Sequence, residues 1–125
     1  MKFLYKGKSL EELQKMSMNE FSLLVDSRAR RYLKRVPSHY RKLLKKIEKI
    51  GGKKPIKTRC RSAVILPSWV GLTFAVHNGK YYKEIKISPE MIGRRLGEFA
   101  HTTGRVIHSG PGVGATRGSK FLPLK

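Results

Sequence analysis

Apolar positions recur at helical spacing through the first part of this chain, then alternate as in strands, then thin out. After Ser17, residues Phe21, Leu24, Val25, Ala29, Tyr32, Leu33 and Val36 recur at helical spacing. That period predicts an amphipathic helix, with Arg28, Arg30, Arg31, Lys34 and Arg35 in the positions between. Pro37 is expected to end it, because proline disfavours helical geometry in the residue before it. Two capping boxes stand upstream, Ser9 with Glu12 and Ser17 with Glu20. Each supplies a hydroxyl and a carboxylate for the free amides of a helix start. Ser38 is expected to cap the next helix, where Tyr40, Leu43, Leu44, Ile47 and Ile50 form one apolar stripe. Gly51-Gly52 stops that helix, since glycine accepts the left-handed cap.

Residues Lys53 to Ser62 read as a basic connector leading into strands. Ala63 to Leu66 is a short apolar run closed by Pro67, and Val70, Leu72, Phe74 and Val76 alternate as in a strand with one buried face. Asn78-Gly79 predicts a tight hairpin turn with two positive-φ residues. The return strand carries Ile85 and Ile87 on one face, with Glu84 and Lys86 on the other. Ser88-Pro89-Glu90 reads as a third helix start, in which Ile92, Leu96 and Phe99 share a face and Gly97 lies near the end. No acid follows Glu98, and glycines and prolines punctuate what remains. Such a segment has too little to bury to order itself, so it is expected to be an extended tail that orders on a partner. The resulting division is a helical N-terminal extension over 1–26, an α+β core over 27–102, and an extended glycine-rich basic tail over 103–125.

Charge changes the picture most. Against 28 Lys and Arg stand 8 Asp and Glu in 125 residues, a formal charge of +20. Solubility needs a net charge of only about 2–8 on a small domain. A nucleic acid is the expected partner, because each phosphate neutralised by Lys or Arg releases a condensed counterion. No stretch approaches the roughly 18 apolar residues of a membrane-spanning helix, and the opening residues break off too early for a signal peptide. The expected location is therefore cytoplasmic, with no membrane partner. Cys60, the only cysteine, can form neither an internal disulfide nor a zinc site alone.

The segment from Arg28 to Arg61 holds fifteen Lys and Arg and one acid, Glu48. Solvated faces ordinarily mix signs, so this one reads as a contact surface for RNA or DNA. The candidate RNA-binding residues there are Arg28, Arg31, Lys34, Arg35, Arg41, Lys42, Lys45, Lys53, Lys54, Lys57, Arg59, Arg61 and Ser62. Arg59, Arg61 and Ser62 offer fork-shaped donors and a hydroxyl to phosphate oxygens. In the tail, Arg105, Arg117 and Lys120 join the set. Trp69, Tyr81 and Tyr82 suit either base stacking or packing.

An enzyme is disfavoured. No histidine pair has the spacing of a helical zinc site, and paired carboxylates are scarce. The glycines from 110 to 118 fail the spacing and context of a phosphate-binding P-loop. Neither a catalytic residue nor a metal or other cofactor is expected. Rivals to a fixed RNA-bound role are a free-standing RNA-binding or RNA-chaperone protein, a small nuclease using His101 or His108, and a DNA-compacting protein.

One spaced signature is more specific. Asn78-Gly79-Lys80 is followed by Ile87, Ile92-Gly93, Leu96-Gly97-Glu98-Phe99 and Thr102. Lys54 to Arg59, Arg61-Ser62 and Gly71 to Gly79 add to it, as does the ending Phe121-Leu-Pro-Leu-Lys125. In these the chain resembles small-subunit ribosomal protein nineteen of the archaeal and eukaryotic type. The resemblance implies a small mixed sheet of three strands with helices beside it. It also implies a structural place in the head of the small subunit, bound to ribosomal RNA and next to small-subunit protein thirteen. The tail is implied to run toward the decoding region and transfer RNA. Position by position, Arg59, Arg61, Ser62 and the turn of His77, Asn78, Gly79 and Lys80 match stretches that lie against RNA. Arg94 and Arg95 fall at variable positions within the signature and are not carried over.

Overall fold

The computed structural model describes residues 2–107. The chain opens with a hairpin that its apolar pattern does not announce: β1 (Leu4–Tyr5) pairs antiparallel with β2 (Lys8–Ser9) around Lys6 and Gly7, both at positive φ. Both capping boxes form. Ser9 starts α1 (Leu10–Lys15) and Ser17 starts α2 (Met18–Leu24), each with reciprocal serine and glutamate bonds.

The long helix expected up to Pro37 is two helices. Val25 is extended, and the Asp26 carboxylate accepts from the Ala29 amide to start α3 (Ser27–Arg35). Arg30 reinforces the corner by donating to the carbonyls of Ser22, Leu23 and Val25 at 3.1–3.3 Å. Apolar spacing runs unbroken across this corner because Phe21, Val25 and Ala29 all enter one core. Helix α4 (Ser38–Ile50) has the expected stripe and ends at Gly51 in the left-handed region. Its cap position belongs to Pro37, however, whose carbonyl accepts from Tyr40 and Arg41, while Ser38 is the first helical residue and makes no cap bond.

Helices and a small three-stranded mixed sheet together make the α+β fold expected from the sequence. The sheet order is β3 (Ile56–Thr58), β4 (Thr73–His77), β5 (Tyr82–Lys86), with β3 parallel and β5 antiparallel to β4. Ile56, Phe74 and Ile85 align across the three strands and are buried. Strand β3 lies inside the basic connector, where three residues are too few for alternation to stand out. Ala63 to Leu66 forms no sheet strand; it is buried, and its backbone bonds to residues 93–96 through Ile65, Gly93 and Leu96 amides.

That pairing also replaces the third helix. Amides a helix would use internally are bonded across to Ala63 and Ile65, and Gly93 turns the chain at φ +80°. Two short 3-10 turns remain, Pro89–Met91 and Leu96–Phe99. Ile92 and Leu96 are buried as expected.

An aromatic series crosses the core. Tyr32 meets Tyr40 edge-on at 5.0 Å, Tyr40 lies 6.1 Å from Trp69, and Trp69 lies 5.1 Å from Phe74. Trp69, left open between stacking and packing, is core at 2% exposure. Leu13 and Phe21 belong to the same buried cluster as these strands and helices.

The Tyr40 hydroxyl donates to the Val64 carbonyl at 3.1 Å in a buried setting. Tyr40→Phe strands that carbonyl and is expected to lower stability by about 1–2 kcal/mol in urea unfolding. Burial pushes the Tyr32 phenol up to about 12 and raises Tyr40 as well. A pKa raised on folding gives stability that is complete below the unfolded value near 10 and lost as pH rises through the folded one. Thermal unfolding scans should therefore show stability falling from about pH 10 upward, less steeply in Tyr40→Phe.

Candidate nucleic-acid interface

Arg61 organises the basic surface from within. Its guanidinium donates to the carbonyls of His77 at 2.7 Å, Gly97 at 2.8 Å and Ala100 at 2.6 Å. The Arg61 carbonyl accepts from the Gly97 amide at 2.8 Å. A Cβ at position 97 would lie 2.9 Å from that oxygen, which is why glycine stands there. Arg61 thus faces inward and ties the connector to the end of β4 and to the last turn, a different place from the phosphate-facing one its sequence position suggests. Ser62 is also turned toward the protein: its hydroxyl lies 3.5 Å from the Tyr32 hydroxyl and 3.4 Å from His39 Nε2.

Beside this clamp is the β4–β5 connection. The register closes at His77 opposite Tyr82, so the connection has four residues, 78–81, where a two-residue turn was expected. Only Gly79 in it has positive φ, +98°. Asn78 substitutes its side chain for a second such residue: Oδ1 accepts from the Lys80 and Tyr81 amides at 3.0 and 2.9 Å. His77 Nδ1 accepts from the Gly79 amide at 3.0 Å. The Asn78 carboxamide oxygen is thereby occupied, while its NH2 remains a donor.

Around this loop the strand ends bring basic and aromatic groups together. Lys57 Nζ lies 5.7 Å over the Tyr82 ring, Arg59 Nε donates to the Tyr82 hydroxyl at 3.4 Å, and His77 packs edge-on to Tyr82 at 4.9 Å. Lys80 and Tyr81 are exposed at the tip. Parallel pairing of β3 with β4 places Lys57 and Arg59 here. Lys46 of α4 donates to the Lys57 carbonyl, carrying the basic surface onto that helix. Tyr81 and Tyr82, left open in the sequence, stand at the surface.

Arg28, Arg31, Lys34 and Arg35 of α3 are exposed, as are Arg41, Lys42 and Lys45 of α4 and Lys53 and Lys54 after it. Arg105 is exposed in the segment beyond the last turn, and Arg117 and Lys120 lie outside the described residues. Among the described residues the one ion pair is Arg94 with Glu98 at 3.8 Å. Sequence reasoning missed Arg95, whose guanidinium stacks over Tyr32 at 5.3 Å. Only the pairing of residues 93–96 with 63–65 brings that arginine to α3.

A buried aromatic core carrying exposed Lys and Arg, with few carboxylates among the described residues, is the surface expected of the class of proteins that bind polyanions. Residues 30–108 match the family model described as ribosomal protein S19. Relatives named small ribosomal subunit protein uS19 are 52% identical in Thermoplasma acidophilum and 53% identical in Picrophilus torridus, each over 124 residues, 98% of this chain and 81% of the relative. The chain belongs to the ribosomal protein S19 family and is accordingly a ribosomal structural protein, not an enzyme.

Replacing Arg61 by alanine leaves three carbonyls without their donor and should lower stability by about 2–3 kcal/mol. Arg59→Ala, exposed on the same strand exit, should leave the urea midpoint unchanged. Equal effects of the two would contradict the inward role of Arg61.

Proposed function

We propose that this chain is a structural constituent of the small ribosomal subunit in the cytoplasm, holding ribosomal RNA in the subunit head. The observation that carries the reading is the ordered loop 77–80 with Lys57, Arg59 and Lys80 around it and Tyr81 exposed beside it. Lys and Arg supply affinity through phosphates, and the loop permits close approach of backbone to RNA. Specificity comes from RNA shape, because positioning contacts go mainly to phosphate and sugar. The faces of α3 and α4 extend the contact through Arg28, Arg31, Lys34, Arg35, Arg41, Lys42 and Lys45.

Small-subunit protein thirteen is the proposed neighbour, and the tail from residue 103 is proposed to run toward the decoding region and transfer RNA. These two statements rest on the resemblance in the spaced signature. The proposed division of labour keeps the core over 27–102 for ribosomal RNA, with the N-terminal extension over 1–26 packed beside it.

Titration of the full chain with a structured RNA at several salt concentrations tests the RNA contact. Alanine at Lys57, Arg59 and Lys80 together should reduce the slope of log K against log salt by about 2–3, since each phosphate contact contributes roughly 0.9. An unchanged slope refutes the placement. In cells, the chain should stay with small subunits through a high-salt wash, and free sedimentation would favour a chaperone instead. A chain ending after Arg105 should fold normally, yet reduce late subunit assembly or decoding fidelity in a complementation strain.

A further inference from the structure

Helix α3 carries Arg28, Arg31, Tyr32 and Arg35 on one stripe of its surface. With Pro37 and Arg95 these residues line an open groove of about 340 Å³. Its floor is fixed before any ligand arrives. The Tyr32 ring is held by the edge contact with Tyr40, and the Arg95 guanidinium lies 5.3 Å over it. Arg95 Nη1 donates to the Ser62 carbonyl at 3.4 Å, which holds the planar cation in position. Three exposed arginines form the rim, and no carboxylate lines the groove. A second groove on the other flank of α3, lined by Ser27, Arg30, Arg31, Lys34 and Arg35, has comparable charge but no aromatic residue.

We propose that the Tyr32–Arg95 groove seats one unpaired nucleotide of the bound RNA. The base lies on the plane of Arg95, which itself sits over Tyr32, with Pro37 beside it, and the adjoining phosphates take Arg28, Arg31 and Arg35. The proposal rests on the RNA-binding reading above and gives it a point of base contact. Unstacked bases settle on aromatic rings and guanidinium planes, and phosphates suit fork-shaped donors. An acidic peptide would use the rim and leave the flat floor uncovered, so the base is the occupant that the whole surface fits.

The test uses the full chain and three RNA hairpins with one stem: a single bulged adenosine, an abasic bulge, and no bulge. At physiological salt the bulged hairpin should bind about tenfold tighter than the other two, as expected for one base stacked on such a surface. A 2-aminopurine placed at the bulge should lose fluorescence on binding. Arg95→Lys keeps the charge but not the plane, so it should abolish the tenfold preference and leave affinity for the paired hairpin unchanged. Equal binding of all three hairpins without quenching overturns the groove and leaves the RNA reading standing. No binding to any hairpin overturns both. Displacement of the bulged hairpin by polyglutamate as effectively as by the same RNA would assign the groove to an acidic protein and also overturn the proposal.

Discussion

A single guanidinium joins the parts of this molecule that matter for its surface. Arg61 reaches the end of β4, the last turn and the chain's exit from the core through three carbonyls. A planar cation with five donors can satisfy several carbonyls at once in a way an ammonium cannot. Those carbonyls would otherwise end at a sheet terminus and a 3-10 turn with no partner. The loop at 77–80 therefore hangs from a fixed point, and the groups around it inherit that rigidity. Close approach at Gly97 is part of the same arrangement, since any side chain there would push the Arg61 backbone away.

Electrostatic segregation follows from how the few acids are employed. Glu12, Glu20 and Asp26 accept backbone amides at helix starts. The Ser9 amide and hydroxyl hold the Glu12 carboxyl below the usual carboxylate range, which favours its charged form at the positive end of α1. Glu98 pairs with Arg94. Negative charge is thus drawn to the starts of α1, α2 and α3, while the bodies of α3 and α4 and the connector carry fifteen Lys and Arg and one acid, Glu48. Hydration and counterions alone oppose the mutual repulsion of that face, and a phosphate backbone relieves it better than either.

The legible parts of the fold were those written in short range. Both capping boxes, the stripe of α4 and its glycine stop depend on residues within a turn or two of each other, and each appears in the structure. What sequence hid was decided by distant pairing. The run 63–66 has strand-like residues, yet β3 and β5 flank β4 and the run bonds to 93–96 instead. The same pairing took the amides of the supposed third helix. At the corner near Asp26, continuous burial masked a break whose cap was present in the sequence but unread. The basic character of the surface was plain from counting. The inward turn of Arg61 and the arrival of Arg95 beside Tyr32 were not, because both depend on residues far along the chain, 16 to 39 positions away.

That separation bears on synthesis. When position 61 leaves the tunnel, the carbonyls it needs at 97 and 100 have not yet emerged, and residues 93–96 are absent from the buried run at 63–65. A half-emerged chain therefore carries its cationic helices without the sheet end that orients the loop. Docking of the final turn closes contacts of high sequence separation, which form slowly because the chain must first be looped. Completion of the basic surface is thereby deferred until nearly the whole described chain is available.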